Sequence, residues 1–326
     1  MFENCESLEN FDLSHFNTQS VITMSKMFTK CIKLQTLDLS HFNTVNVIDM
    51  NGLFNGCSSL KSIDLSAFDT SNLQKMSNMF TECRSLTSID VSKFNTEQVT
   101  EMSSLFSKCE KLQSVDISNF KTSKVKYLSS LFEHCTSLTS VDVSKLNLDN
   151  ATSISSMFYN CSSLRYIDVS KFDTRKVESM SSLFGLCSSL KSIDVSNFET
   201  YYVYSFGSMF YGCTQLEEID ISKFKTNSLR DISWMFKNCK NLKTIKFPLS
   251  LTNKLSRMAS VFDGCESLTS LDLTLLDTSQ VTTLDNWLHG CKNLKSLNIA
   301  GFDTSQVTLY NYMFSNCTSL TSINLN

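Results

Sequence analysis

Thirteen cysteines recur at a constant interval along this 326-residue chain, each one standing 26 positions after the one before it. A thiol can form a disulfide or ligate a metal ion, so this series is the first candidate for chemistry. Zinc sites need ligands clustered within a few residues, and an odd number of thiols cannot all pair within one chain. We therefore interpret the cysteines as small buried hydrophobes, with disulfides or metal ligation as the alternatives. They are Cys5, Cys31, Cys57, Cys83, Cys109, Cys135, Cys161, Cys187, Cys213, Cys239, Cys265, Cys291 and Cys317.

A row of aspartates recurs at the same 26-residue interval, at a different position of the repeat from the cysteines. Carboxylates stacked at strand spacing repel one another, so other groups must offset the repulsion. Solvent, flanking serines and nearby lysines are one explanation. The alternatives are that the row binds calcium through its oxygen atoms, a cationic ligand or a basic protein partner. The candidate binding residues of the row are Asp64, Asp90, Asp116, Asp142, Asp168, Asp194 and Asp220.

Tyrosines form the third candidate site. Tyr201, Tyr202 and Tyr204 stand where most repeats carry Ser, Lys, Gln or Asn, and Tyr211 follows a little further along. Clustered exposed tyrosines are typical of interface anchors or of platforms on which sugars stack. The alternative is that the repeat sequence has varied at these positions and that the surface tyrosines bind nothing. The cluster therefore predicts a surface that binds a protein or a glycan.

Catalysis finds little support in the residues. The four histidines are His15, His41, His134 and His289, and neither G-x-S-x-G nor a phosphate-binding glycine loop occurs. The recurring carboxylates form one regular ladder, whereas acid–base catalysis needs a pair in differing environments. We predict that the chain is not an enzyme and needs no cofactor.

Composition excludes other classes of function. The net charge is -3 with mixed signs, which argues against binding to nucleic acid. No apolar run is long enough to insert into a membrane, and no signal peptide stands at Met1. Because the sequence starts inside a repeat, we expect the chain to be part of a longer protein.

One repeat shows the elements that must position these residues. Val47, Met50, Leu53, Phe54 and Cys57 are spaced by 3, 3, 1 and 3 residues, which predicts a short amphipathic helix. In the same repeat, Thr44 suits the N-cap and Gly56 the left-handed end of that helix. The alternation in Ile63-Asp64-Leu65 then predicts a short strand with Asp64 outward.

The predicted fold class is α/β. We expect a right-handed solenoid with one short parallel strand and one short helix in each 26-residue turn. The domain would span residues 1–326 as a single solenoid of about 12.5 repeats. Its predicted structural core includes Cys57, Cys83, Cys109, Cys135, Cys161, Cys187, Phe54, Phe80 and Phe106.

The repeat reads M-x-x-[ML]-F-x-x-C-x-x-L-x-x-[IVL]-D-[LVI]-S-x-F-[ND]-T, as from Met76 to Thr96. This pattern covers the whole chain and resembles the BspA-like leucine-rich-repeat surface proteins. The resemblance implies a leucine-rich-repeat-like solenoid, exported or anchored at a cell surface, that mediates adhesion or ligand contact. Where such repeats usually carry an asparagine ladder this chain has Phe42, Phe68 and Phe94, so we expect a phenylalanine spine there.

Two repeats depart from the pattern, at Lys145–Leu148 and at Lys246–Ser250. We expect local distortions at both, with Pro248 ending a strand because it has no N–H to donate. Neither end of the sequence has a distinct polar cap. A structural function, in which solenoids stack end to end into filaments, is therefore the alternative to adhesion.

Overall fold

A computed structural model describes residues 1–248 and 254–325 of the chain. They form two compact units, unit 1 over Met1–Phe172 and unit 2 over Asp173–Asn326. Within each unit the chain winds as a solenoid, and residues one repeat apart pair in parallel on neighbouring turns. The single domain over residues 1–326 stays a prediction.

Unit 2 contains short parallel strands, as the sequence predicts. β1 pairs with β2, and β3, β4 and β5 form a second sheet, always with partners one repeat apart. In β1 the central Ile219 is buried, while Asp220 points outward and Ile221 is again buried. The strands of the described part are β1 Glu218–Asp220, β2 Thr244–Lys246, β3 Ser270–Asp272, β4 Ser296–Asn298 and β5 Ser322–Asn324.

Unit 1 has the same extended segments with fewer hydrogen bonds. Across its residues, all of which are described, none forms a regular strand. Single bonds join neighbouring turns instead, for example from the Lys61 N–H to the Gln35 carbonyl at 3.1 Å. Each unit also has a second line of parallel bridges. It links Thr23, Asp49, Lys75, Glu101, Tyr127 and Ser153 in unit 1, and Ser179, Ser205, Asp231 and Arg257 in unit 2.

The predicted helix is wrong, and with it the α/β fold class, because the residues that the structure describes contain strands and turns but no α-helix. The segment before each cysteine is a run of overlapping β-turns, in which the N–H groups of Leu53 and Cys57 donate to carbonyls three residues back. The intervening N–H groups of Met50, Gly52 and Phe54 donate to the next turn of the solenoid, at 2.8–2.9 Å. We call this alternating arrangement the turn ladder. An α-helix would need every N–H for bonds to the fourth preceding residue.

The backbone angles exclude a helix independently. Two residues in each turn ladder have positive φ, such as Gly52 at 63° and Gly56 at 77°. Right-handed helices require negative φ at every position. Gly56 is left-handed as expected, but it completes a β-turn and does not end a helix. Apolar residues three and four apart share one side in both structures, which explains why the sequence resembled a helix.

A column of stacked phenylalanine rings fills the core beside the turn ladder. In unit 1 successive ring centroids lie 5.6–5.8 Å apart with nearly parallel planes. In unit 2 they lie 5.8–6.1 Å apart. The phenylalanine column consists of Phe28, Phe54, Phe80, Phe106, Phe132 and Phe158 in unit 1, and of Phe184, Phe210, Phe236 and Phe262 in unit 2.

The phenylalanines expected to form the spine are buried at one position of successive repeats. Phe42, Phe68 and Phe94 follow the extended segment and are at most 4% exposed. The corresponding Phe198 and Phe224 of unit 2 stack at 6.4 Å. The phenylalanine column is thus a second, more closely spaced series of stacked rings at another position of the repeat, which the sequence did not predict.

Threonine hydroxyls form the polar ladder between turns. The Thr122 hydroxyl, which is fully buried, accepts from the Asn147 N–H at 2.7 Å and donates to the Asn147 carbonyl at 2.8 Å. Thr96 bonds to Lys121 in the same way. The interpretation of these threonines as helix N-caps is therefore wrong, because each one bridges to the neighbouring turn. They satisfy backbone groups that the solenoid buries.

The cysteines form a third column, in which thiols from Cys31 onward donate to carbonyls of the preceding turn. The Cys57 Sγ lies 3.1 Å from the carbonyl oxygen of Phe28, and Cys109 bonds to Phe80 at the same distance. All thirteen cysteines are free, and those from Cys31 to Cys291 are buried. Burial raises the pKa of the Cys57 and Cys109 thiols to about 12.

The irregular repeat of unit 2 changes the core locally. β2 ends at Lys246, the repeat position at which the other four strands also end, so Pro248 does not shorten this strand as expected. A partly open apolar cavity of about 30 Å³ lies beside it, with Phe224, Phe247 and Pro248 in its wall. No α-helix that could cross a membrane occurs in the part of the chain that the structure describes.

Replacing Thr122 by valine tests the threonine ladder. The substitution leaves the N–H and carbonyl of Asn147 without their partner, so we expect a loss of about 2–4 kcal/mol in the free energy of unfolding. Thr122→Ser keeps the hydroxyl and loses one buried methyl group, which costs about 1 kcal/mol. Urea unfolding followed by circular dichroism measures both variants. Equal stability of the valine variant and the wild type would contradict the ladder.

Thiol titration tests the cysteine column. Only Cys5 and Cys317 are partly exposed, whereas the other eleven cysteines are buried. Because burial blocks access and disfavours the reactive thiolate, we expect two rapidly reacting thiols with Ellman's reagent at pH 8. Titration in guanidinium chloride, as the control, should release all thirteen. Rapid reaction of more than two thiols in the folded protein would be inconsistent with the column.

Candidate functional site

An open groove on unit 2 brings tyrosines and charged side chains together. Its lining consists of Glu178, Tyr202, Tyr204, Ser228 and Arg230. We call it the tyrosine groove. Two of the tyrosines that the sequence singled out, Tyr202 and Tyr204, lie in this lining.

Hydrogen bonds between turns set the order of these residues. The Tyr204 N–H donates to the Glu178 carbonyl at 2.9 Å, and the Arg230 N–H donates to the Tyr204 carbonyl at 2.9 Å. Glu178, Tyr204 and Arg230 thus occupy one position on three successive turns. Tyr202 and Ser228 occupy a second position two residues earlier. The groove therefore crosses three turns along the direction in which they stack.

The tyrosines stand on a rigid support. Val203 between them is fully buried, and Thr200 just before them is a buried member of the threonine ladder, bonded to Lys225. Alternation along the extended chain then turns Tyr202 and Tyr204 outward, with 56% and 47% of their surface exposed. Aromatic rings held in this way need little ordering when a ligand binds.

The two charges of the groove lie on opposite sides of Tyr204. Glu178 is on the preceding turn and Arg230 is on the following turn, and both are exposed. In the described part of the chain neither makes an ion pair within 4.0 Å. The groove therefore has a negative and a positive end, with aromatic surface between them.

The other two predicted tyrosines lie outside the lining. Tyr201 is 51% exposed, and its ring meets that of Tyr202 edge to face with centroids 5.0 Å apart. Tyr211 lies in the turn ladder, is half-buried, and donates its N–H to the Ser208 carbonyl. Tyr201 thus borders the tyrosine groove, whereas Tyr211 belongs to a different segment of the turn.

Sequence reasoning missed Glu178, Ser228 and Arg230. The repeat interval could have found them, because Glu178 stands one repeat before Tyr204 and Arg230 stands one repeat after it. It also missed Trp234, which is 48% exposed at a φ of 58°. A bulky residue rarely adopts positive φ, and small or polar residues fill this position in most turns.

The aspartate row is an array of local turns. Each carboxylate accepts a hydrogen bond from the backbone N–H two residues later, as Asp64 does from Ser66 at 2.8 Å. This bond, followed by one from the Ser66 side chain, lowers the pKa of Asp64 below its ordinary value of 3.8. Repulsion from neighbouring Asp38 raises it, as the smallest of the contributions. Solvent and serine N–H groups therefore offset the stacking of like charges.

Asp64, Asp90, Asp116, Asp142 and Asp168 of unit 1 and Asp194 and Asp220 of unit 2 all make this turn. None of them lies in the tyrosine groove. Among the residues that the structure describes, no group of three or more histidine, cysteine, aspartate or glutamate side chains could hold a metal ion.

Lys246 stands one repeat after Asp220, where the aspartate row would continue, and its positive charge pairs with that neighbour. Lys246 Nζ lies 3.2 Å from Asp220 Oδ2. Hydrogen bonds from Ser222, with a smaller contribution from Lys246, lower the pKa of Asp220 to about 2. The irregular repeat at Lys246–Pro248 thus adds an ion pair to the row.

A separate ionic cluster lies in the turn ladder of unit 2. Buried Asp263 accepts from Lys237 Nζ at 2.8 Å and contacts His289 Nδ1 at 2.8 Å. The other ring nitrogen of His289 faces the Asn316 amide at 3.3 Å. A hydrolytic triad needs a nucleophile at that nitrogen. The cluster instead joins successive turns.

Family models match most of the chain. The model described as "Mycoplasma protein of unknown function, DUF285" matches residues 1–89, 85–166 and 152–247, so the chain belongs to this family. A model of the BspA type leucine-rich repeat region, with six copies, matches residues 207–326. The resemblance to BspA-like leucine-rich-repeat proteins is thereby confirmed. No curated protein sequence matches the chain.

Solved structures of bacterial leucine-rich-repeat proteins are similar at low identity. A leucine-rich cell surface protein from Faecalibacterium prausnitzii A2-165 is 20% identical over 90% of this chain and 79% of its own, with a TM-score of 0.45. A leucine-rich repeat protein from Bacteroides ovatus is 20% identical over 93% and 78%, with a TM-score of 0.44. One from Eubacterium ventriosum is 16% identical over 90% and 73%, with a TM-score of 0.37.

Acid titration tests the aspartate row at Asp220. A carboxyl whose pKa is depressed on folding stabilises the protein above its unfolded pKa, near 3.8, and the contribution is lost as pH falls through the folded value of about 2. Asp220→Asn retains an oxygen acceptor for Ser222 but cannot ionise. We therefore expect the difference in urea midpoint between wild type and variant to shrink between pH 5 and pH 2. A difference that grows over this range would refute the assignment.

Proposed function

We propose that this chain is a non-enzymatic binding protein, displayed at a cell surface, that contacts a protein partner through the tyrosine groove. One observation carries the proposal. Tyr202 and Tyr204 are exposed side by side on a rigid support, between a carboxylate and a guanidinium that lack ion-pair partners in the described part of the chain.

The composition of the groove favours a protein partner. Tyrosine and arginine are enriched among the residues that dominate binding energy in protein interfaces. Repeat proteins present such residues on surfaces that their regular backbone holds in place. Tyr201 at the border of the groove extends the same aromatic surface.

The cell-surface location and the adhesive role are carried by the resemblance to BspA-like proteins. An adhesin needs a solvent-facing contact area on a scaffold that does not rearrange. The tyrosine groove and the threonine ladder beneath it meet both requirements.

The similar surroundings of the carboxyl groups in the aspartate row support the proposal that the chain is not an enzyme. Carboxyls of the aspartate row share one turn geometry, and their pKa values are lowered together, as at Asp64, Asp90, Asp116, Asp142, Asp168 and Asp220. Acid–base catalysis uses carboxyls whose pKa values are driven apart.

A displayed library of random twelve-residue peptides tests the proposal. We expect enriched peptides to bind the wild-type chain and to lose at least about tenfold in affinity for the double variant Tyr202→Ser/Tyr204→Ser, which removes about 1.4 kcal/mol or more of aromatic contact. Tyr166→Ser is the matched control, because Tyr166 is 65% exposed and lies outside the groove. Affinity is measured by surface plasmon resonance.

The same variants are then applied to an array of neutral and acidic oligosaccharides. Peptide binding that survives both groove substitutions would show that the site is wrong. Tyrosine-dependent binding of oligosaccharides without any tyrosine-dependent peptide would replace the protein partner by a glycan.

A further inference from the structure

The backbone positions that carry the two charges of the tyrosine groove have a fixed spacing. Glu178 and Arg230 occupy the same position two turns apart, with Tyr204 on the turn between them. Neighbouring parallel segments lie about 4.8 Å apart, so the backbones that carry the two charges are separated by about 9.6 Å. A peptide that runs along the groove lies opposite both positions when its own charged residues repeat at a similar distance.

The spacing discriminates between peptide conformations. In a β-strand the side chains on one face repeat every two residues, at about 6.8 Å or about 13.5 Å, and neither matches the groove. In a polyproline II helix the side chains on one face repeat every three residues, at about 9.3 Å. Such helices are rich in proline, whose rings are flat and apolar. Aromatic grooves of other proteins bind proline-rich segments of this kind.

We propose that the tyrosine groove binds a peptide segment in the polyproline II conformation that carries a basic and an acidic residue three positions apart. This inference rests on the proposed function and adds the chemistry of the partner. The basic residue lies beside Glu178, the acidic residue lies beside Arg230, and the residues between them pack on Tyr202 and Tyr204. The Ser228 hydroxyl, which also lines the groove, would donate to a peptide carbonyl.

Both charges favour a peptide over a sugar. A neutral oligosaccharide has no charged ends for Glu178 and Arg230 to distinguish. An acidic oligosaccharide would be attracted by Arg230 but repelled by Glu178. A peptide with both signs satisfies the two ends of the groove together, because each charge then lies opposite its complement.

Synthetic peptides of fixed length test the proposal on the full chain. The first is acetyl-Pro-Pro-Lys-Pro-Pro-Glu-Pro-Pro-amide, and the second exchanges its Lys and Glu. Two further pairs place the charges two and four positions apart. We expect one order at the three-residue spacing to bind about fivefold to tenfold more tightly than the reverse order and than either other spacing, since exposed ion pairs contribute modestly.

Exchange of the groove charges provides the decisive variant. In Glu178→Lys/Arg230→Glu the preferred order of Lys and Glu in the peptide should reverse. Both residues are exposed, so the variant should fold, and circular dichroism checks that it does. The matched control is Glu217→Lys/Lys243→Glu, which exchanges an exposed pair of unit 2 that lies outside the tyrosine groove and is joined at 2.7 Å. The control should keep the wild-type preference.

The outcomes separate this proposal from the proposed function. Tyrosine-dependent binding with no preference for charge order or spacing overturns the charge inference and leaves the groove as the binding site. Absence of tyrosine-dependent binding for every peptide of the series at millimolar concentration overturns the inference as well. Tyrosine-dependent binding of a neutral oligosaccharide, unaffected by the charge exchange, overturns both the inference and the protein partner.

Discussion

Along the turn ladder, one backbone N–H donates to a carbonyl of the same turn and the following one donates to a carbonyl of the next turn. The rest of each unit depends on this alternation. The bonds between turns fix the stacking distance and hold residues one repeat apart side by side. The phenylalanine column, the threonine ladder and the cysteine column all follow, because each places the same residue type at the same position of successive turns. A solenoid of this kind has no single core, and each turn is stabilised mainly by its two neighbours.

This dependence also explains what the sequence could and could not predict. The constant interval of the repeat and the alternation around Asp220 predicted parallel pairing in register, and β1 to β5 confirm it. The helix was wrong because the acceptors that decide between a helix and a turn ladder lie almost one full repeat further along the chain. A local pattern such as Met50 to Cys57 contains no information about those acceptors. Thr44 was misassigned for the same reason, since its partner Asp69 is on the next turn.

The candidate site likewise contains some residues that the sequence could identify and others that it could not. Tyr202 and Tyr204 were visible as departures from the repeat, because a regular sequence makes an exception conspicuous. Glu178 and Arg230 were not, since charged residues are ordinary on the surface of a repeat and acquire meaning only through the turns on either side. Tyr211 looked equivalent to the others under the helical interpretation. In the turn ladder it lies half-buried on another segment, away from the groove lining.

The strict alternation of bonds has a consequence for how such a chain can change in length. An insertion of one residue within a turn ladder would exchange the N–H groups that bond locally with those that bond to the next turn, and would disturb every neighbouring column at once. Recombination between equivalent points of two repeats, in contrast, removes or adds a complete turn and leaves each column in phase. The gene can therefore grow and shrink in whole repeats, while surface positions such as those of Glu178, Tyr204 and Arg230 are reshuffled into new neighbourhoods.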